Sequence, residues 1–528
     1  MSRFPLAEHI VEVSAAVSAP QHVLDSPRAD LTSVLRNNKH ETYESVHTLT
    51  HWPAQPASDM DASQLAALRR MLTKKLAIIQ GPPGCGKTYV SVQAIKVMLG
   101  NHKPRDPPII LACQTNHAID QLLRHVAEFE KDFVRLGGMS KDKEVIKPRT
   151  LYEVRHSESR EALAGCFKQN ARKKMKDLEK EFGLLLSPLE PTKTPLDFRM
   201  LEKVGLLTPK QADTLESGAS EWVQDKKTNV TDARTSPFAV WLTKTLVAVP
   251  PKQKPEMYEF PLEEADLGFE QLKELEAENM AKDDEEFDVL RGLRLSLADN
   301  FTCRKVTGVT EANVKDSLKQ QDMWKIPEAK RGEVYRYLQR ELKSQLLIGF
   351  REKAKVYNEQ AAKRRIGQFE EDEIILREQK VIGMTTTGFS KYRALLSALQ
   401  PKIVLIEEAA ETLEAPVTVT CLSSVQQLIL VGDHKQLRPH CHVKALEDPK
   451  YSFNISLFER MIENSVEFDM LAKQRRMIPE IRRILYPIYG DKIKDHPSVL
   501  DPAKRPNVPG MGGHELVLLQ SRLAGAAR

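Results

Sequence analysis

Eight consecutive residues have the spacing of a phosphate-binding loop: a glycine, four variable residues, then glycine, lysine and a hydroxyl side chain. They are Gly81, Pro82, Pro83, Gly84, Cys85, Gly86, Lys87 and Thr88. Glycines at such a bend let backbone N–H groups point inward and surround phosphate oxygens at the start of a helix. Lys87 would reach the β- and γ-phosphates, and the Thr88 hydroxyl would bind Mg²⁺. The sequence therefore predicts a nucleoside triphosphate site rather than a plain glycine turn.

Two adjacent acids could supply the second half of this chemistry. Glu407 and Glu408 directly follow an apolar run at residues 403–406. In a chain with a phosphate-binding loop, one such carboxylate can hold Mg²⁺ through its water shell while the other orients an attacking water. Another polar cluster, residues 432–437, follows the apolar run 427–431 in the same way. These positions predict metal–nucleotide chemistry at the ends of buried strands.

An open α/β sheet would bring these groups together. Short apolar runs predict strands at residues 76–79, 108–113, 133–136, 380–384, 403–406 and 427–431. Apolar periodicity predicts a helix from residue 59, with Ser63 as its N-cap, and further helices at 89–99 and 118–129. The carboxyl ends of parallel strands meet at one edge of a sheet, so the polar residues that follow each strand should converge there.

Two other polar positions have alternative interpretations. If the helix before the loop packs above the nucleotide, the Gln64 amide could both donate to and accept from adenine. From the sequence alone, an exposed polar position on that helix is preferred. Residues 440–442, His-Cys-His, have metal-ligating side chains. Adjacent side chains do not easily converge on one ion, so a polar loop is the preferred interpretation.

The composition limits the class of protein. The 528 residues carry a net charge of +5, which permits nucleic-acid binding without requiring it. This length predicts about three domains. The six cysteines are scattered, which favours a reducing compartment and argues against a zinc module. No apolar stretch predicts a secretory leader or a membrane-spanning helix. We therefore expect a protein of the nucleus or cytoplasm, with the nucleus preferred.

Residues from about 150 to 375 interrupt the alternation of strands and helices. Apolar residues that recur every four positions predict one long helix over 332–378, which would form a stalk. Proline-rich stretches around 187–196 and 248–261 are predicted to be loops. A basic cluster at 172–176 is equally compatible with a solvated helix face and with a nucleic-acid contact.

Four separated motifs resemble those of superfamily 1 helicases. They are the phosphate loop and the sequences at residues 407–410, 432–439 and 474–479. In particular they resemble the branch that contains the nonsense-mediated-decay helicase and senataxin. The short sequences at residues 61–65, 115–118, 383–388 and 407–411 are similar to those of helicases that carry NFX-type zinc fingers.

This resemblance implies RecA-like motor domains that hydrolyse ATP with Mg²⁺ and bind single-stranded RNA or DNA. It implies a role in RNA-mediated silencing, heterochromatin or RNA surveillance. The implied partners include an RNA-directed RNA polymerase or a silencing complex, and no membrane.

The resemblance also implies a role for individual residues. Gln64 would contact adenine, Glu407 would lie on the metal side, and Glu408 would activate water. Gln436 would sense the γ-phosphate, and Arg476 would stabilise charge on the transferring phosphoryl group. The residues expected to contact the nucleic-acid backbone are Thr115, Asn116, Thr386 and Thr387.

By the same resemblance the chain divides into four regions. Residues 1–58 would be a remnant of an accessory, barrel-like region. Residues 59–150 with 376–465 would form the first RecA-like domain, and 151–375 a helical insertion with a stalk. Residues 466–528 would begin a second RecA-like domain. Because the later motifs of the family do not follow residue 477, we expect a truncated chain.

The sequence departs from the family pattern at two site positions. Glu407 replaces the usual Asp, and Cys85 stands where Thr is common. Two other functional classes remain open from the sequence. One is an ATP-gated nucleic-acid-binding scaffold without unwinding activity, and the other is an ATPase that acts on protein complexes.

Overall fold

The computed structural model describes residues 11–36, 42–53, 58–137, 140, 142–155, 167–189, 195–225, 236–249, 301–303, 310–441 and 443–501. These residues form two compact units. The first unit contains the described residues between 11 and 155 and between 369 and 501. The second contains those between 167 and 249 and between 301 and 368.

Strands and helices alternate in the first unit, and helices dominate the second. The described strands are β1 (Arg28–Ala29), β2 (Val46–His47), β3 (Leu76–Gln80), β4 (Ile109–Cys113), β5 (Phe133–Arg135), β6 (Leu246–Ala248), β7 (Phe301–Cys303), β8 (Val381–Thr385), β9 (Ile403–Glu407), β10 (Gln427–Gly432), β11 (Asp469–Met470), β12 (Lys473–Gln474) and β13 (Lys494–Asp495). The described α-helices are α1 (Gln21–Asp25), α2 (Ala62–Thr73), α3 (Lys87–Gly100), α4 (Asn116–Ala127), α5 (Leu151–Arg155), α6 (Phe167–Leu186), α7 (Phe198–Lys203), α8 (Pro209–Asp225), α9 (Pro237–Leu242), α10 (Glu311–Ser317), α11 (Glu328–Arg377), α12 (Thr386–Leu399), α13 (Glu414–Val419), α14 (Leu457–Glu463), α15 (Pro479–Arg483) and α16 (Tyr486–Tyr489).

A parallel sheet of seven strands forms the centre of the first unit. Its strand order is β11-β3-β10-β9-β4-β8-β5. Every residue of β3, β4, β8 and β10 is buried, as expected for a parallel sheet covered on both faces. The predicted fold class, an α/β P-loop sheet with a helical insertion, is therefore confirmed.

Successive residues of each strand face opposite sides of this sheet. Ile78 and Leu430 belong to a hydrophobic cluster that includes residues of α12, α13 and α14. Ile79 and Val431 belong to a second cluster that includes residues of α2, α3 and α4. Because each face of the sheet is covered by helices, the polar residues that follow the strands are left at the sheet's edge.

Several predicted boundaries differ from the structure. The N-cap of α2 is Asp61, so the prediction of Ser63 is wrong. The Asp61 carboxylate accepts from the backbone N–H groups of Ser63 and Gln64, and the Gln64 side chain accepts from the Asp61 N–H, which completes a capping box. Helix α3 begins at Lys87, two residues before the predicted start, because the loop glycine Gly86 serves as its N-cap. The predicted loop at 248–261 lies almost entirely outside the described residues, as do residues 502–528.

The second unit has its own hydrophobic core. It is built around Phe238, Trp241 and Tyr335, and the Phe238 ring contacts the rings of the other two. Helix α11, predicted as residues 332–378, spans Glu328–Arg377. The basic side chains at 172–174 of α6 are exposed, as both interpretations of this cluster require.

Residues 466–501 pack with the first unit. Strand β11, which the apolar pattern did not predict, pairs in parallel with β3, and Asp469 lies opposite Ile79. Leu471, Tyr489 and Ile493 are buried in the cluster that contains α2 and α3. The assignment of this segment to a second RecA-like domain stays a prediction.

Candidate nucleotide-binding and catalytic site

The phosphate loop connects the end of β3 to the start of α3. Gly84 and Gly86 have φ values of +77° and +84°, in the left-handed region that favours glycine. No side chain caps α3, so its first N–H groups are left for an anion. The Lys87 Nζ donates to the carbonyl of Gly81 at 2.7 Å, and burial lowers the pKa of Lys87. The loop thus has the geometry of an anion cradle with a partly desolvated cation beside it.

Glu407, the last residue of β9, lies against the start of α3. The Thr88 hydroxyl donates to Glu407 Oε2 at 3.2 Å, and the Ser91 hydroxyl, which donates to the Lys87 carbonyl at 3.2 Å, lies near this carboxylate. Glu407 is only 6% exposed, and burial raises its pKa. Its Oε1 is buried without a hydrogen-bond partner among the described residues. A buried acceptor beside a hydroxyl is a donor set that fits Mg²⁺.

Glu408 has the features of a general base. Its φ of +57° is rare for a residue with a side chain and marks local strain at a functional position. Burial, followed by the neighbouring carboxylates of Glu411 and Glu407, raises its pKa to about 7. Lys87 and a hydrogen bond from Thr115 oppose this shift. A carboxylate with a pKa near the working pH is suited to accept a proton from water.

Asp433 follows β10 and joins three elements. It is 3% exposed, and its Oδ1 accepts from Gln80 Nε2 at 3.3 Å. Its Oδ2 accepts from Gln436 Nε2 at 2.8 Å and from the Tyr489 hydroxyl at 2.6 Å. Burial and the Asp433 carboxylate raise the pKa of Tyr489, which therefore remains a donor. The side chain of the predicted γ-phosphate sensor, Gln436, is thus held by a buried carboxylate.

The segment that carries Arg476 contacts the phosphate loop. The Arg475 N–H donates to the Gly84 carbonyl at 2.9 Å. A Cβ added at Gly84 would lie 2.6 Å from Arg476 Cβ, so only glycine permits this approach. The buried Gln474 Oε1 accepts from the N–H groups of Arg476 and Met477. The structure therefore places the backbone of Arg476 against the loop, with its side chain exposed.

Gln64 lies under the phosphate loop. It is 1% exposed, so the preferred interpretation of an exposed helix position is wrong. Its Nε2 donates to the Cys85 carbonyl at 3.1 Å, and its Oε1 accepts from the Asp61 N–H at 3.2 Å. The amide therefore fixes the loop to α2 through the backbone of Cys85, whose own side chain is buried. The adenine contact stays a prediction.

The four residues predicted to contact nucleic acid differ in exposure. Thr115 caps α4 by accepting from the Ala118 N–H, and Thr115 and Asn116 are partly exposed. Thr387 is exposed at the start of α12. Thr386 is 0% exposed and donates to Gln114, which argues against a side-chain contact with a strand.

Sequence reasoning gave no individual role to four residues of this site. They are Ser91, Glu411, Asp433 and Tyr489. Asp433 lies in the polar cluster 432–437 and Glu411 in the motif 407–411, so the sequence selected their segments but not these side chains. Tyr489 gave no such signal, since its contact with Asp433 joins residues 56 positions apart.

Two further properties concern the part of the chain that the structure describes. No helix there combines the length and the apolar character needed to cross a membrane. No group of three or more His, Cys, Asp and Glu side chains there is arranged to hold a metal ion. A Mg²⁺ held by Thr88 and Glu407 would therefore need further oxygen ligands from nucleotide and water, which is usual for this ion.

Comparison with known proteins gives the same family as the motifs. A family profile described as an AAA domain matches residues 59–444. The chain is 33% identical over 516 residues to "Helicase required for RNAi-mediated heterochromatin assembly 1" of Schizosaccharomyces pombe, a match that covers 97% of this chain and 50% of that protein. It is 30% identical over 580 residues to the Homo sapiens "NFX1-type zinc finger-containing protein 1", covering 94% of this chain and 30% of that protein.

A shorter match of 86 residues, 33% identical, joins 16% of this chain to 9% of the Schizosaccharomyces pombe "ATP-dependent helicase upf1". The chain spans about half the length of the first of these relatives, 50%, and less of the others.

Proposed function

Because the chain belongs to the AAA domain family of superfamily 1 helicases, we propose that it binds and hydrolyses ATP and couples this reaction to single-stranded RNA or DNA. The observation that carries the proposal is the pairing of Thr88 with the buried Glu407, beside a Glu408 carboxylate whose pKa is about 7. A scaffold that only binds nucleotide has no need of a tuned base.

Each residue then has a defined task. Lys87 would bind the phosphates, and Thr88 with Glu407 would hold Mg²⁺. When bound, this ion would neutralise charge on the phosphate oxygens. Glu408 would take the proton of the attacking water, and Arg476 would stabilise charge that develops on the phosphoryl group.

The remaining roles concern recognition. We propose that Gln64 contributes to adenine binding through its position under the loop, and that Gln436 senses the γ-phosphate. The nucleic-acid backbone would contact Thr115, Asn116 and Thr387, which gives binding that depends on salt and is nearly independent of base sequence. The names of the relatives support a role in RNA-mediated silencing or RNA surveillance, with the nucleus as the preferred location and a silencing complex as a partner.

ATP turnover with and without single-stranded RNA tests this function. Lys87→Ala should abolish turnover and weaken ATP binding, because a cation on the phosphates is lost. Glu408→Gln should bind ATP while hydrolysing it at least about a hundredfold more slowly, the usual contribution of a general base. Lys96→Ala is a matched control on the same helix, where the ammonium lies 5.1 Å from the Phe129 ring and faces no proposed ligand. Equal turnover by Lys87→Ala and the parent chain would refute the assignment.

A further inference from the structure

A buried arginine lies beside the proposed nucleic-acid contact. Arg135 ends β5 and is 1% exposed, although it carries a charge. Its Nη2 donates to Asn116 Oδ1, its Nε donates to Asp120 Oδ1 at 3.1 Å, and its Nη1 donates to the Leu136 carbonyl at 3.0 Å. Asn116 and Asp120 lie one turn apart on α4, so a single guanidinium joins both to the neighbouring strand.

The backbone after Arg135 leaves room for this guanidinium. Gly137 has a φ of +101°, and a Cβ added there would lie 2.6 Å from Arg135 Nη1. A side chain at position 137 would therefore be strained and would also displace the guanidinium. Asp120 supplies the opposite charge that a buried arginine needs.

The bond to Arg135 decides which end of the Asn116 amide turns inward. A guanidinium can only donate, so it must face the amide oxygen. The amide nitrogen, which can only donate, is then at the other end of the group. Phosphate oxygens can only accept. We propose that Arg135 is a positioning residue that orients Asn116 to present N–H donors to the phosphates of a single strand. This inference rests on the proposed nucleic-acid contact of Asn116.

The same element lies close to the proposed catalytic base. Thr115, the residue before Asn116, caps α4, and its hydroxyl lies near enough to the Glu408 carboxyl to lower its pKa. Fixing the first turn of α4 therefore fixes both a proposed nucleic-acid contact and a neighbour of Glu408.

Fluorescence anisotropy with a labelled oligouridine tests the inference. Asn116→Ala should weaken RNA affinity about tenfold, as expected for the loss of one hydrogen bond to a charged group. Arg135→Lys should give a similar loss, because the single nitrogen of lysine lacks the planar fork of donors by which Nε and Nη2 hold Asp120 and Asn116. The double variant, Asn116→Ala with Arg135→Lys, should bind RNA no more weakly than Asn116→Ala alone, since Arg135 acts through Asn116. Arg149→Lys, at an arginine that stacks on Phe133, is the matched control and should bind as the parent chain does.

A second variant separates this role from folding. Asn116→Asp keeps an acceptor for Arg135 and should melt no lower than the parent chain, yet it should lose RNA affinity because it offers no donor and adds a negative charge. If Asn116→Ala keeps full affinity, the proposed nucleic-acid contact itself fails. If Asn116→Ala binds weakly while Arg135→Lys binds normally, or if the losses add fully in the double variant, the positioning role of Arg135 is overturned. Retained affinity in Asn116→Asp would overturn it as well.

Discussion

The pKa of Glu408 predicts how ATP turnover depends on pH. A general base works only when it is deprotonated, and the pKa of this carboxyl is about 7. The ionised fraction then rises from about 9% at pH 6 to about 91% at pH 8, so turnover at ATP concentrations well below KM, which reports the nucleotide-free enzyme, should rise about tenfold. A glutamate with its ordinary pKa of 4.5 would be fully ionised throughout and would give a flat profile.

In this assay single-stranded RNA should be saturating and ATP well below its KM, so that the pH profile of kcat/KM reports the enzyme before ATP binds. After burial, the Glu411 carboxylate contributes most to the raised pKa of Glu408. Glu411→Gln removes it, so the rise of turnover with pH should occur at lower pH. Thr115→Val removes a hydroxyl that favours the ionised form of Glu408, so the rise of turnover with pH should occur at higher pH. A flat profile between pH 6 and 8, with ATP binding unchanged, would refute the assignment of Glu408 as the base. Shifts of the same sign in the two variants would refute the account of its pKa.

Three further variants test other parts of the site. Glu408→Gln should melt higher than the parent chain, and by more at pH 8 than at pH 5. The pKa of Glu408 is higher in the folded than in the unfolded chain, so the folded parent chain loses stability as pH rises between these two values. Gln does not ionise and avoids this loss. Calorimetry at both pH values measures the difference. Tyr489→Phe should lower the free energy of unfolding by about 1–3 kcal/mol in urea titrations, because Asp433 loses a donor in a buried site. Gly84→Ala should slow ATP turnover at least about tenfold, since strain of 1–3 kcal/mol at a positive φ adds to the clash with Arg476, and a normal rate would contradict this.

The fold was largely predictable because its signals are local. Continuous apolar runs marked β3, β4, β8, β9 and β10, which are almost wholly buried, as the strands of a covered parallel sheet must be. Strand β11 was missed because two residues at a sheet edge carry no apolar run. The N-cap of α2 was misplaced because Asp61 and Ser63 are both good capping residues, and only the geometry of the capping box decides between them.

The site was predictable only in part, because chemistry and exposure are encoded differently. The phosphate loop and the pair Glu407–Glu408 follow from residue type and spacing. The burial of Gln64 and Thr386 does not, since both are polar and both lie near helix starts where polar residues are common. The pKa of Glu408 depends first on burial, which no short motif specifies, and only then on Glu411, which lies in the motif 407–411.

Asp433 shows why such connections are central to the proposed function. Gln80, one of its donors, directly precedes the phosphate loop, and the Gly81 N–H donates to the Gly432 carbonyl at 2.9 Å. Asp433 thus fixes the loop's first residues, and through Tyr489 it also fixes the segment that places Arg476 at Gly84. The Asp433 carboxylate has four donors, which are the side chains of Gln80, Gln436 and Tyr489 and the backbone N–H of Lys435. Such a buried group is costly to rearrange, because any donor that leaves must be replaced. A change in the Gln436 contact would therefore be transmitted to both sides of the phosphate loop, which is the coupling that a nucleotide-driven motor requires.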